Sequence, residues 1–136
     1  MDIQMTATPA GGKKIDVSLG PHKVRTDLLE ASGGENSAPE PLDMLFAALA
    51  SCTTNYVLEF CRSRDINTDA LAIHLTASRT EEGGLFNDVS LKLDLPGDFP
   101  DKYRKAVVKA AEKCTVKKHL QPAITVHIGL EGLGDR

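Results

Sequence analysis

PLDMLFAALASCTTNYVLEFCRSR, residues 41–64, is the stretch whose reading decides the fold. Pro41 is suited to the first helical position, where its missing N–H costs nothing. Leu42, Leu45, Phe46, Leu49, Cys52, Tyr56, Val57 and Phe60 then recur in steps of three and four, the mark of one buried helical face. Ala47, Ala48, Ala50 and Ser51 are small and let other elements approach closely. The pattern predicts a helix ending near Arg64, before Asp65 and Asn67. About 24 residues at roughly 1.5 Å each would reach about 36 Å. That is long for a chain of 136 residues and points to a central helix shared with a partner subunit.

Working outward, the flanks read as strands. Residues 1–9 are weakly strand-like, Gly11-Gly12 signals a turn, and residues 14–18 alternate polar and apolar. Gly20-Pro21 turns the chain again before a third strand over residues 22–29, giving a small antiparallel meander. Residues 31–40 read as a loop of ordinary length. Beyond the long helix, residues 70–79 and 85–95 alternate around a turn at 81–84 and predict a hairpin. A second helix is expected over 101–113, with Tyr103, Val107, Ala110 or Ala111 and Cys114 on its inner face. A short extra turn at 115–120, a break at Pro122, a last strand over 123–130 and a loose tail from Gly132 complete the reading. Strand runs separated by helices indicate an α+β fold with antiparallel sheets, in one domain spanning residues 1–136.

Composition removes several classes of function. Hydrophobic content of 41% and charged content of 26% suit a globular core. A net charge of −3, with no basic cluster and no Trp, argues against a nucleic-acid surface. The N-terminus carries neither a basic nor an apolar leader segment, and no run of about 18 apolar residues predicts a membrane span. Three cysteines are too few for a disulfide scaffold, so free thiols in a cytoplasmic protein are expected.

Chemistry concentrates on two cysteines. Cys52 lies on the apolar stripe of the long helix, and Cys114 lies 62 positions further on at the end of the second helix. Neither belongs to a CxxC pair or to a metal-finger spacing. Helix-borne thiols so far apart suggest a site assembled in three dimensions, in which one thiol attacks an oxidant and the other resolves the product. Each also fits a small buried hydrophobe. A reactive thiolate needs a cation or a helix N-terminus, and Cys52 has neither locally. Cys114 is flanked by Lys113, Lys117 and Lys118. Cys61 is nine residues beyond Cys52, on the opposite side of the helix, and reads as structural. Asp43, near the helix start, suits the macrodipole. Nine residues also separate it from Cys52, so a shared role would need an irregular helix start or a second chain. The four histidines show no metal spacing, and Gly33-Gly34 is not a phosphate loop.

The segment Pro39–Cys52, PEPLDMLFAALASC, resembles the central-helix signature of the OsmC/Ohr family of hydroperoxide-defence proteins. Pro41, Asp43, Leu45, Ala47, Ala48, Leu49 and Cys52 occupy the signature places, with Gly33-Gly34 ahead of them. Cys114-Thr115-Val116 is similar to the second signature, a Cys-Pro-Val-Ser-like turn, with Thr115 where the family has Pro. The resemblance implies an intertwined homodimer with antiparallel sheets wrapped around long central helices, and sites at the subunit interface. It implies reduction of organic hydroperoxides, with Cys52 as the peroxidatic thiolate and Cys114 as the resolving thiol. Family members activate the first cysteine through an arginine on an N-terminal strand, held by a glutamate. Asp43 stands at or beside the glutamate place and Arg25 is the stand-in for the arginine, with Lys13 and Lys14 as further cations. These departures suggest the broader OsmC-like branch.

The expected function is therefore a thiol-dependent peroxidase without metal or organic cofactor. Its partners would be an organic hydroperoxide, whose alkyl tail gains from burial, and a small dithiol or cellular thiol as reductant. A ligand-binding dimer or a redox sensor on the same scaffold are the alternatives.

Overall fold

Three short strands open the chain: β1 (Thr6–Pro9), β2 (Ile15–Leu19) and β3 (His22–Thr26). The computed structural model describes residues 2–132. The strands form an antiparallel sheet in the order β1-β2-β3, with Val17 opposite both Ala7 and Val24. Positive φ angles at Gly11, Gly12 and Gly20 make the two turns that glycine was expected to make. The third strand stops at Thr26, three residues short of the expected end, because Asp27 takes the chain into a folded loop.

That loop belongs to the first of two compact units, Met1–Ala48 and Leu49–Arg136. The Asp27 carboxylate accepts the Leu28 N–H (2.8 Å), the Glu35 N–H (3.3 Å), the Ser37 N–H (3.0 Å) and the Ser37 hydroxyl (2.6 Å). A 3₁₀ turn at Glu30–Ser32 closes on Gly33 in the left-handed region. A Cβ at Gly34 would collide with the Leu28 carbonyl, so the loop requires glycine there.

Helix α1 runs from Pro41 to Arg62. Its buried row is Leu49, Thr53, Val57, Phe60 and Cys61, rotated from the expected stripe. Leu42 and Leu45 are exposed, and Cys52 lies half-buried at the edge of the row. By length and composition alone α1 would also suit a membrane span, a test that the core helix of a soluble protein passes equally.

In the second unit, β4 (Ala72–Ser78) and β5 (Asp88–Asp94) pair antiparallel, with Leu75 opposite Leu91 and Ile73 opposite Leu93. A 3₁₀ turn at Asp101–Tyr103 leads into α2 (Arg104–Ala111), and α3 follows over Thr115–Leu120. Val57, Phe60, Cys61, Phe99, Val107 and Ala111 form the core, with Ile73, Leu93, Leu95 and Tyr103 packed on it. Burying each of Val57, Phe60, Phe99 and Val107 is worth about 1.5–3 kcal/mol relative to exposure. The Arg64 guanidinium lies 3.7 Å from the Phe60 ring centre and covers this end of the core.

The last strand expected from the sequence is not formed. Residues 123–130 have no ladder partner among the described residues, and Ile124, Val126, Ile128 and Leu130 are 62, 71, 89 and 65% exposed. Alternation supplies one apolar face, but a strand also needs a free sheet edge to bond with. Most of the expected loose tail, residues 133–136, lies outside the described residues.

Candidate active site

Two thiols meet in the second unit. Cys52 is in the middle of α1, where the row Leu49–Thr53–Val57 turns inward, so that Cys52 and Thr53 flank the same side of the helix. Cys114 follows α2 by continuing its inner row, Val107–Ala111–Cys114, and is fully buried. It also occupies the position immediately before α3.

The Cys114 sulfur is the focus of the site. It accepts hydrogen bonds from the Lys117 and Val116 backbone N–H groups, from the Cys52 thiol and from the Thr53 hydroxyl. Burial alone would raise its pKa, and this is the largest single influence. The four donors together outweigh it, so the Cys114 thiol is held below its ordinary value. The flanking Lys113, Lys117 and Lys118 side chains are exposed. The local stabilisation of the thiolate comes from the first N–H groups of α3 and from α1, where the sequence had suggested lysine charge.

A second contact lies beside the sulfurs. The Tyr56 hydroxyl, one turn beyond Cys52, is 2.7 Å from Thr115 Oγ1, next to Cys114.

Of the four residues singled out from the sequence, Cys52 and Cys114 are brought together. Arg25 and Asp43 belong to the first unit and have partners there. Arg25 makes a two-pronged ion pair with Asp16, Nε to Oδ1 at 2.7 Å and Nη2 to Oδ2 at 3.0 Å. The pair holds the Asp16 carboxyl below, and the Arg25 guanidinium above, their ordinary pKa values. Asp43 accepts the Glu40 N–H at 3.4 Å in the first turn of α1, the dipole-friendly position anticipated for it. Cys61 is fully buried in the core, and burial pushes its thiol pKa up. It packs in the core as a small hydrophobe.

Thr53 escaped the sequence reading. The signal was present: a hydroxyl four residues from both Leu49 and Val57 interrupts a buried apolar row. A buried hydroxyl requires a partner, and this one finds the Cys114 sulfur.

This arrangement coincides with a family match. The family model for the OsmC-like proteins matches residues 34–129, and the chain belongs to that family. Among solved structures it is similar to an osmotic stress induced and detoxification response protein from Psychrobacter arcticus 273-4. The TM-score is 0.73 at 21% identity, covering 87% of this chain and 88% of that one. It is also similar to an OsmC-like protein from Mycoplasma pneumoniae (TM-score 0.70, 16% identity, 90% of this chain and 89% of that one). The organic hydroperoxide resistance protein OhrB of Bacillus subtilis gives a TM-score of 0.57 at 19% identity, over 93% of this chain and 95% of that one. These likenesses establish the α+β fold as OsmC-like. No curated protein matches the chain.

Proposed function

We propose that the protein is a thiol-dependent peroxidase for organic hydroperoxides, with Cys52 and Cys114 as its redox couple. The observation that carries this reading is that two thiols far apart in sequence are brought together, the half-buried Cys52 standing among the donors that lower the pKa of the buried Cys114. Cys52 is the more accessible sulfur and takes the peroxidatic role. Its lone pair attacks the distal peroxide oxygen, the O–O bond breaks, and the electron pair leaves on the alkoxide. The Cys52 proton passes to the alkoxide, which departs as an alcohol. Cys52 is left as a sulfenic acid. The Cys114 thiolate then attacks the Cys52 sulfur and the S–O bond breaks. Hydroxide takes a proton and leaves as water, and a disulfide remains. A dithiol or cellular thiol restores both thiols by exchange.

In this scheme the group that makes the site polar enough for thiolate chemistry is the donor set around Cys114. Arg25, held by Asp16, is not required for it. A homodimer belongs to the same reading. The exposed apolar residues of 123–130 and Leu42 and Leu45 on α1 are the surfaces it would cover. A cytoplasmic location, where thiols are kept reduced, is the setting in which such a couple would cycle.

The engagement of Arg25 with Asp16 favours a second reading, a dimer that binds small ligands without turnover. One experiment separates the two. The reduced protein is given a brief stoichiometric dose of cumene hydroperoxide and analysed by peptide mass spectrometry. A peptide pair joined through Cys52 and Cys114, with Cys61 unmodified, is the expected result. Persistent peroxide with both thiols still reduced would sink the peroxidase and leave the binding protein.

A further inference from the structure

Two contacts join α1 to the segment that carries Cys114. One is the hydrogen bond of 2.7 Å between the Tyr56 hydroxyl and Thr115 Oγ1; the other is the approach of the Cys52 thiol to Cys114. They lie side by side, since Cys52 and Tyr56 are one turn apart on a single helix and Cys114 and Thr115 are consecutive. We propose that Tyr56 and Thr115 are positioning residues, a clamp that holds the Cys114 turn against α1 and sets the approach of one sulfur to the other.

The clamp matters at one step, and the inference rests on the redox couple proposed above. Closing the disulfide requires the Cys114 sulfur to approach the Cys52 sulfur opposite the leaving oxygen. Small misplacements of reacting atoms are costly in rate. The clamp would leave the first attack on peroxide untouched, because that step involves only Cys52 and the substrate.

The test follows the two steps separately in Tyr56→Phe, Thr115→Val and Thr115→Ser variants of the full chain. Two oxidants are used: cumene hydroperoxide, and diamide, an azo compound. Diamide first adds to one thiol; the second thiol then attacks that sulfur, the S–N bond breaks and the hydrazine leaves, so the thiol pair loses two electrons to it. Quenching at intervals and peptide mass spectrometry count the Cys52 adduct and the Cys52–Cys114 disulfide. The expected result is closure slowed about fivefold in Tyr56→Phe and Thr115→Val, the loss set by one hydrogen bond. Adduct formation is expected to proceed at the wild-type rate, and Thr115→Ser to close as the wild type does. The double variant Tyr56→Phe/Thr115→Val should be no slower than either single. Wild-type closure in either single variant would overturn the proposal. So would a Thr115→Ser protein as slow as Thr115→Val, since packing alone would then account for the loss. If the wild type closes with diamide and ignores cumene hydroperoxide, the peroxidase reading fails, and the diamide comparison still decides the clamp.

Discussion

Three thiols in this chain sit in three environments, and the differences are set by individual neighbours. Cys61 is surrounded by core side chains and has its pKa pushed up. Cys114 is equally buried, yet donors from two elements turn the balance the other way. Thr53 is the neighbour whose contribution can be removed most simply, because valine keeps its shape and drops the hydroxyl. Replacing Thr53 by Val takes one hydrogen bond from the charged form of Cys114, so the thiol pKa rises. The measurement is the pH dependence of iodoacetamide alkylation at Cys114, read by mass spectrometry. The midpoint should move to higher pH in Thr53→Val, and an unmoved midpoint would remove Thr53 from the site. At this scale Cys52 and Cys114 were legible as candidates from their isolation and helical placement. The cause of the Cys114 shift was not, because backbone N–H groups carry no sequence signature and the lysines beside it pointed to a different cause.

At the scale of elements, α1, the hairpin and the meander were written in periodicity and turn residues. The loop between β3 and α1 was not, and Asp27 organises it. The Ser37 hydroxyl and then the Ser37 N–H hold the Asp27 carboxyl well below the usual carboxylate range. Burial opposes them, and the Leu28 and Glu35 N–H groups add to the lowering. A carboxyl with a depressed folded-state pKa contributes stability that is present above its unfolded value, about 3.9, and is lost as pH falls toward the folded one. Thermal melts of the wild type should therefore lose stability below about pH 4. Asp27→Asn should be less stable at pH 7 and lose less over the same acid range. Parallel acid profiles for the two proteins would show that Asp27 does not hold the loop. Phe99 is a similar case in the second unit. Its N–H bonds the Pro96 carbonyl at 3.0 Å and its ring enters the core.

For the whole molecule, family membership and the α+β fold are established, and the subunit count is the next quantity to measure. Residues 123–130 carry four apolar side chains at alternate positions, all exposed, on a segment without a ladder partner among the described residues. Such an array is the kind of surface that an interface covers. Light scattering on the eluting protein should give twice the 14.6 kDa of one chain. A Val126→Lys/Ile128→Lys variant should elute as a single chain, because two charges on one face of the segment would have to be buried unpaired. A wild type that runs as a monomer at micromolar concentration would dismiss the homodimer.

The sequence by itself determined most of the elements and the family. The helical step of Pro41–Arg62, the alternation in β4 and β5 and the glycine turns of the meander are local patterns, and local patterns need only a few neighbouring residues to act. It also marked Cys52 and Cys114 as the residues to follow. Only the tertiary structure decided which way α1 faces, burying Thr53 and leaving Leu42 exposed. It alone brought Cys52 against Cys114 and Tyr56 against Thr115. It also withheld the last strand, because a ladder depends on an edge supplied from elsewhere in the fold. These outcomes arise between residues distant along the chain, where hydrogen-bond partners and burial are fixed by packing and leave no mark on the local pattern.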